Sequence, residues 1–194
     1  MTRKTFLTCT VIVALCGLSI SAAFGWRSHQ QPGQPYAAAS WKQHFKDTKE
    51  LVKGSDAVVL ARADSVAPGR VAYSSGGDDS LAFEVVNFTV VDGLKGEKDG
   101  STVSVERVSS TAPDGSDTAY FNFDGGNFQV GGTYLLFLKK QEDGGPFYYQ
   151  INDQGRFHDE GGQLVAVAPD DPVAAAFHGR PVKEGKALVK QSLK

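Results

Sequence analysis

The sequence predicts an all-β domain, a single antiparallel barrel or sandwich, with helices only at its two ends. Runs of valine, threonine and aromatic residues of strand length recur between residues 55 and 167, separated by clusters of Gly, Pro, Asn and Asp. Val103 and Val105 alternate with Ser104 and Glu106, the period of a strand with one wet face. Helical spacing of apolar residues is confined to the stretch after Ser40 and the stretch after Pro169. The composition, 41% hydrophobic and 22% charged with 22 glycines, suits a packed core connected by tight turns.

The first element is a helix over residues 40–53. Ser40 and Gln43 have capping-box spacing, and Trp41, Phe45, Leu51 and Val52 form one apolar stripe. Gly54 is placed to take the left-handed position that ends it. "SDAVVLARADSV" then reads as a strand stopped by Pro68-Gly69, and "SSGGDD" at 74–79 separates it from "LAFEVVNFTVV". "DGLKGEKDG" is the next connection, and "TAPDGSD" a loop with an exposed tip. In "FQVGGTYLLFLKK", Tyr134 to Leu138 is apolar at every position, which predicts a strand buried on both faces. "GPFYYQI" and "RFHDEGGQLVAV" complete the set, joined by "NDQG" and turned at Gly161-Gly162. The tail, residues 170–193, is helical in tendency: Pro172 suits a helix start, and Val182, Leu188, Val189 and Leu193 share a face, with Gly185 weakening it.

The N-terminus carries an address. Arg3 and Lys4 precede an uncharged run, Phe6 to Trp26, that ends in "SISAAFG", which reads as a signal peptide cut after Ala23 or Gly25. The run is also close to the roughly 20 residues that span a bilayer, so an uncleaved anchor with Arg3 and Lys4 inside fits as well. Residues 1–25 are therefore assigned to a signal or anchor, residues 26–39 to a linker containing Pro32, Gly33 and Pro35, and residues 40–194 to the domain. Either alternative puts the domain outside the cytoplasm, and the membrane is met only through the N-terminal segment. Both cysteines, Cys9 and Cys16, lie inside that segment, so the domain has no disulfide, thiol nucleophile or cysteine ligand. "VALCG" is a poor lipid-anchor motif, with Leu15 where a small residue is wanted. Without Arg3 and Lys4, 18 basic residues face 22 acidic ones, an unsuitable balance for nucleic acid.

No residue is assigned a catalytic, cofactor or metal role. Gly93 to Thr102 invites comparison with a phosphate loop, but Gly100-Ser101-Thr102 lacks the lysine and a strand, not a helix, follows. His29, His44, His158 and His178 show no paired metal spacing. No serine sits in a Gly-x-Ser-x-Gly elbow. Asp78-Asp79, Asp170-Asp171 and the trio Asp114, Asp117 and Asp124 do not form a calcium loop pattern. Asn87-Phe88-Thr89 is formally a glycosylation sequon inside a strand. "YFNF", Tyr120 to Phe123, and "FYY", Phe147 to Tyr149, read as core filling and cross-strand pairs, with stacking on a sugar or peptide as the alternative.

"ELVKGSDAVVLARADSV", "FEVVNFTVVDGLKG", "STVSVERV", "FQVGGTYLLFL" and "GPFYYQINDQGRFHDEGG", in that order, resemble exported bacterial proteins whose domain is similar to the netrin and metalloproteinase-inhibitor (TIMP-like) modules. The resemblance spans Glu50 to Val167 and implies an OB-like β-barrel, with Leu94-Lys95-Gly96 linking two strands and Val130 to Leu138 entering a central one. Such inhibitors act through an N-terminal cysteine, and this chain has none after Cys16, so that chemistry does not carry over. The expectation is a non-enzymatic module at the cell envelope, without cofactor, contacting a protein, peptide or glycan through loops or an edge strand. The alternative is an envelope hydrolase or metal-dependent enzyme using His158 with Asp159, Glu160 and acids from 114 to 124.

Overall fold

The computed structural model describes residues 43–73, 80–109, 127–142 and 145–194, all within the unit Ala39–Lys194. Helix α1 (Thr48–Gly54) leads into strands β1 (Ala57–Tyr73), β2 (Ser80–Lys95), β3 (Thr102–Val108), β4 (Thr133–Lys140) and β5 (Tyr148–Gln150). A 3-10 turn (Asp153–Gly155), strands β6 (Arg156–Glu160) and β7 (Gln163–Ala166), and helices α2 (Pro172–Ala175) and α3 (Val182–Ser192) follow. The strands form one seven-stranded sheet in the order β1-β2-β3-β5-β4-β6-β7, and β1 pairs in addition with β4. The protein is thus mostly β, with short helices.

One pairing departs from the expected antiparallel pattern: β3 and β5 run parallel at Val105 and Tyr148. The reason is topological. Pairings β1–β2, β2–β3, β4–β5 and β1–β4 are all antiparallel, so β3 and β5 must end up pointing the same way. A circuit of five strands cannot alternate throughout.

The additional β1–β4 pairing explains the uninterrupted apolar run of β4. Tyr134, Leu136 and Leu138 pack on one face with Ala57, Val59, Phe88, Val103 and Val105, the inner core. Leu135 and Phe137 point the other way, into a second, outer core with Val58, Leu60, Leu51, Phe157, Phe177 and Val189. Successive strand residues alternate faces, and both faces are covered, one by the sheet and one by the helices. Leu135 to Leu138 are fully buried, each worth about 1.5–3 kcal/mol relative to exposure.

Four local expectations are corrected. The first helix starts at Thr48, capped by Asp47, whose carboxylate accepts from Glu50 N at 2.8 Å, while Glu50 Oε2 accepts from Lys46 N at 3.0 Å. Phe45 cannot be helical there because Gln154 holds both its N–H and its carbonyl, at 2.9 and 3.0 Å; Ser40 and Trp41 lie outside the described residues. Gly54 is the last helical residue, not a left-handed cap. It is small because a Cβ would lie 2.5 Å from Phe45 Cε1.

Pro68-Gly69 does not end β1 either. The strand continues to Tyr73, and a register shift between Pro68 and Val71 absorbs one extra residue. Pairing with β4 stops at Arg62, so among the described residues Pro68 sits where β1 is paired with β2 alone, a position that tolerates a missing N–H. The C-terminal tail is two helices, with Asp171 accepting from Val173 N and Ala174 N to cap α2. Gly185 is buried and required: a Cβ there would lie 2.3 Å from Leu164 Cδ1, so α3 lies tight on β7 because of the residue expected to weaken it.

Candidate functional site

The Gly93 to Thr102 stretch comprises the end of β2, the connection from Gly96 to Ser101 and the first residue of β3. Gly96 and Gly100 have φ of 76°, in the left-handed region, and Gly93 N donates to Asp99 Oδ1 at 2.7 Å. A Cβ on Gly96 would also lie 2.2 Å from Asp56 O. Lys95 Nζ donates to the carbonyls of Val52 (2.8 Å), Lys53 (3.2 Å) and Ser55, closing the C-terminal end of α1. Burial pulls its pKa below the ordinary lysine value, opposed by Asp56 and reinforced by Lys139. The Leu94-Lys95-Gly96 segment, where β2 ends, is therefore a clamp between the sheet and α1, with Leu94 in the core under the helices.

Several other candidates have structural partners. Asn87 stands mid-ladder, donating to Ser65 Oγ at 3.1 Å and accepting from Ser104 Oγ at 2.7 Å, which ties the sequon side chain across three strands. Asp171 caps α2, accepts from Gln154 Nε2 at 3.0 Å and meets His44 Nε2 at 3.2 Å. Burial opposes its ionisation, but Gln154, the Ala174 and Val173 amides and His44 outweigh that and hold its carboxyl below the usual range. Tyr148 is buried and donates to Glu97, and burial together with that carboxylate raises its pKa. Asp78, Asp79, Asp114, Asp117, Asp124 and the Tyr120 to Phe123 cluster lie outside the described residues, and with them the acids from 114 to 124 expected to join His158, Asp159 and Glu160.

His158, on β6, stacks on Tyr134 with ring centroids 4.8 Å apart and 21° between planes, and its Nδ1 lies 3.4 Å from Glu160 Oε1. Tyr134 leads into a cluster that sequence reading missed. Arg156 is 4% exposed, with Cζ 3.9 Å from the centre of the Phe128 ring; Arg107 Cζ lies 5.6 Å from the same ring. Arg107 Nε meets Glu84 Oε1 at 3.3 Å, and its Nη2 donates to Asn127 Oδ1 at 3.1 Å. Burial, with Arg107 adding to it, pulls the Arg156 pKa down to about 10. Phe128 in turn packs edge-on against Phe88 (5.0 Å) and Tyr134 (4.9 Å). A strand-borne arginine between Gly155 and Phe157 was the only sequence hint.

Glu84 marks where this cluster meets an exposed surface, since it is opposite Arg107 on β3 and opposite Pro68 on β1. Val66 faces Val86, Val71 faces Ala82 and Tyr73 faces Ser80. Residues 80, 82, 84 and 86 share one face of β2, and Val86 belongs to the inner core. Val66, Val71 and Tyr73 therefore extend the inner face outward, at 41%, 37% and 69% exposure. The candidate site is this apolar strip with the Arg107–Glu84 pair beside it, level with Pro68 between Val66 and Val71. It offers apolar contact and a charged margin suited to binding. Among the described residues no three His, Cys, Asp or Glu side chains converge in a metal-holding group.

No family model matches the chain, and no curated protein matches it.

Proposed function

We propose that the chain is a non-enzymatic interaction module working outside the cytoplasm at the cell envelope, built on an OB-like barrel of the netrin and TIMP-like type. The pairing circuit β1–β2–β3–β5–β4–β1 supports the barrel, because a five-stranded closed sheet is the OB architecture. Arg3 and Lys4 ahead of the uncharged run Phe6 to Trp26 support export. The observation that carries the binding role is the strip of Val66, Val71 and Tyr73, which exposes apolar side chains along a face that elsewhere forms core. An apolar strip suits a protein or peptide partner better than a glycan, and the acidic balance disfavours nucleic acid.

The test is site-specific photocrosslinking in intact cells, with the photoreactive residue at position 73 or, as a control, at 193, where Leu193 is exposed on the opposite end of the chain. A discrete adduct from position 73 that disappears with Val66→Lys and Val71→Lys supports the reading. Equal, diffuse adducts from both positions sink it. Intact-mass measurement of the mature protein decides separately between cleavage and anchoring.

A further inference from the structure

The outer edge of β7 is covered by the chain between α2 and α3. Leu164 N donates to Arg180 O at 2.9 Å, Gly179 N to Leu164 O at 2.8 Å and Val182 N to Gly162 O at 2.9 Å, with Gln163 bridged to Pro181. The next β7 amide has no backbone acceptor in this clasp: Ala166 N donates at 3.2 Å to Nδ1 of the exposed His178 ring. A side chain thus takes the place of a carbonyl in the ladder.

A backbone amide can only donate, so this bond requires a lone pair on His178 Nδ1, which only the neutral ring with its proton on Nε2 supplies. Protonation fills that lone pair and sets an N–H against an N–H. Histidine is the side chain that changes charge between about pH 5 and 8. We propose that His178 is a proton-operated pin, fastening the clasp over the β7 edge when neutral and releasing Ala166 N when charged. The charged and titratable groups on the elements packed around it are Arg156, His158, Asp159 and Glu160 on β6, Asp170 and Asp171 at the start of α2, Arg180 in the clasp, and Lys183, Glu184, Lys186 and Lys190 on α3, with Arg180 and Glu184 paired at 3.8 Å. Arg156 accepts Val167 N through its carbonyl, beside the pinned amide, and Arg180 Nε is tied to Ala176 O at 2.6 Å. None of these stands in for the Nδ1 lone pair, so the response follows His178 itself.

The test is amide hydrogen exchange by NMR on the intact chain between about pH 8 and about pH 5, corrected for intrinsic rates. Leu164, whose N–H goes to a carbonyl, is the internal reference. Protection of Ala166 is expected to fall about tenfold relative to Leu164 as pH drops, the size of losing one acceptor. His178→Gln, whose amide oxygen accepts at every pH, is expected to flatten the response, and His178→Ala to leave Ala166 weakly protected throughout. A constant Ala166 to Leu164 ratio in the natural protein overturns the proposal, as does an unchanged fall in His178→Gln. The measurement on the natural protein decides even where a variant folds poorly.

Discussion

The two outer edges of the sheet are handled in opposite ways. The β7 edge is covered: the clasp from Phe177 to Val182 hydrogen-bonds along it, and Phe177 and Val189 anchor the clasp in the outer core. The outer half of β1 pairs with β2 on one side, and on the other its β4 pairing ends at Arg62, with Ala63 making the last backbone bonds among the described residues, to Gly131 and Gly132. There the strand carries register shifts at Ala63/Ser65 and Pro68/Val71, and Pro68 itself. Bulges and proline discourage another chain from continuing the sheet. One edge is shielded by chain, the other by its own irregularity. Only the second leaves apolar side chains in water, and for that reason it is the better place for a partner that binds a face without adding a strand.

Removing the clasp's anchor should have the largest effect. Phe177→Ala should lower unfolding stability by about 3–5 kcal/mol, read by urea titration, because a fully buried ring leaves a cavity between Phe137 and Phe157. Gly185→Leu should cost about 1–3 kcal/mol by driving α3 off Leu164, seen as a lower Tm. Next is Asp171→Ala, which removes the α2 cap and one partner of Gln154 and should cost about 0.5–2 kcal/mol.

Acid should act through Asp171 and Asp56. For Asp56, burial opposes ionisation but the Lys140 amide and Lys139 ammonium outweigh it, so both carboxyls are held below their ordinary value of 3.8. A depressed folded pKa stabilises above the unfolded value and is lost as pH falls through the folded one. Stability should therefore be flat from neutral pH to about 4 on their account and drop below it, and Asp171→Asn should make the drop shallower in acid titrations followed by circular dichroism.

The smallest folding effects belong to the open edge. Val71→Lys should change stability by less than about 0.5 kcal/mol while abolishing crosslinking at position 73. Pro68→Val should also be nearly neutral for folding, yet raise concentration-dependent self-association in sedimentation velocity, because it returns a donor to the exposed edge. Association no different from the natural chain would mean the bulges alone protect β1.

Much of the sheet could be read from residue order. The continuous apolar run Tyr134 to Leu138 implied burial on both faces, and it is buried on both, because a strand without a polar side has no face to give to water. The Gly93 to Thr102 connection was readable from its glycines. Helix α1 was found but its start was misplaced, since Ser40-Gln43 and Asp47-Glu50 have the same spacing, and Gln154, about a hundred residues away, holds Phe45 outside the helix. Pro68-Gly69 has the local chemistry of a turn and the tertiary position of an edge bulge. The candidate site was less accessible still: Val66, Val71 and Tyr73 fall on one face only because a bulge shifts their parity.

By itself, the sequence determined the β character, the lack of cysteine chemistry beyond Cys16, the mildly acidic balance and the approximate places of the strands and terminal helices. These depend on period, composition and turn chemistry, which are local. Folding in three dimensions set that β1 pairs with both β2 and β4, that β3 and β5 run parallel, that Lys95 closes the end of α1, and that Arg107 and Arg156 gather around Phe128. Each of those joins residues far apart in the chain, and a contact of that kind is set by how the sheet curls and which edge its ends cover.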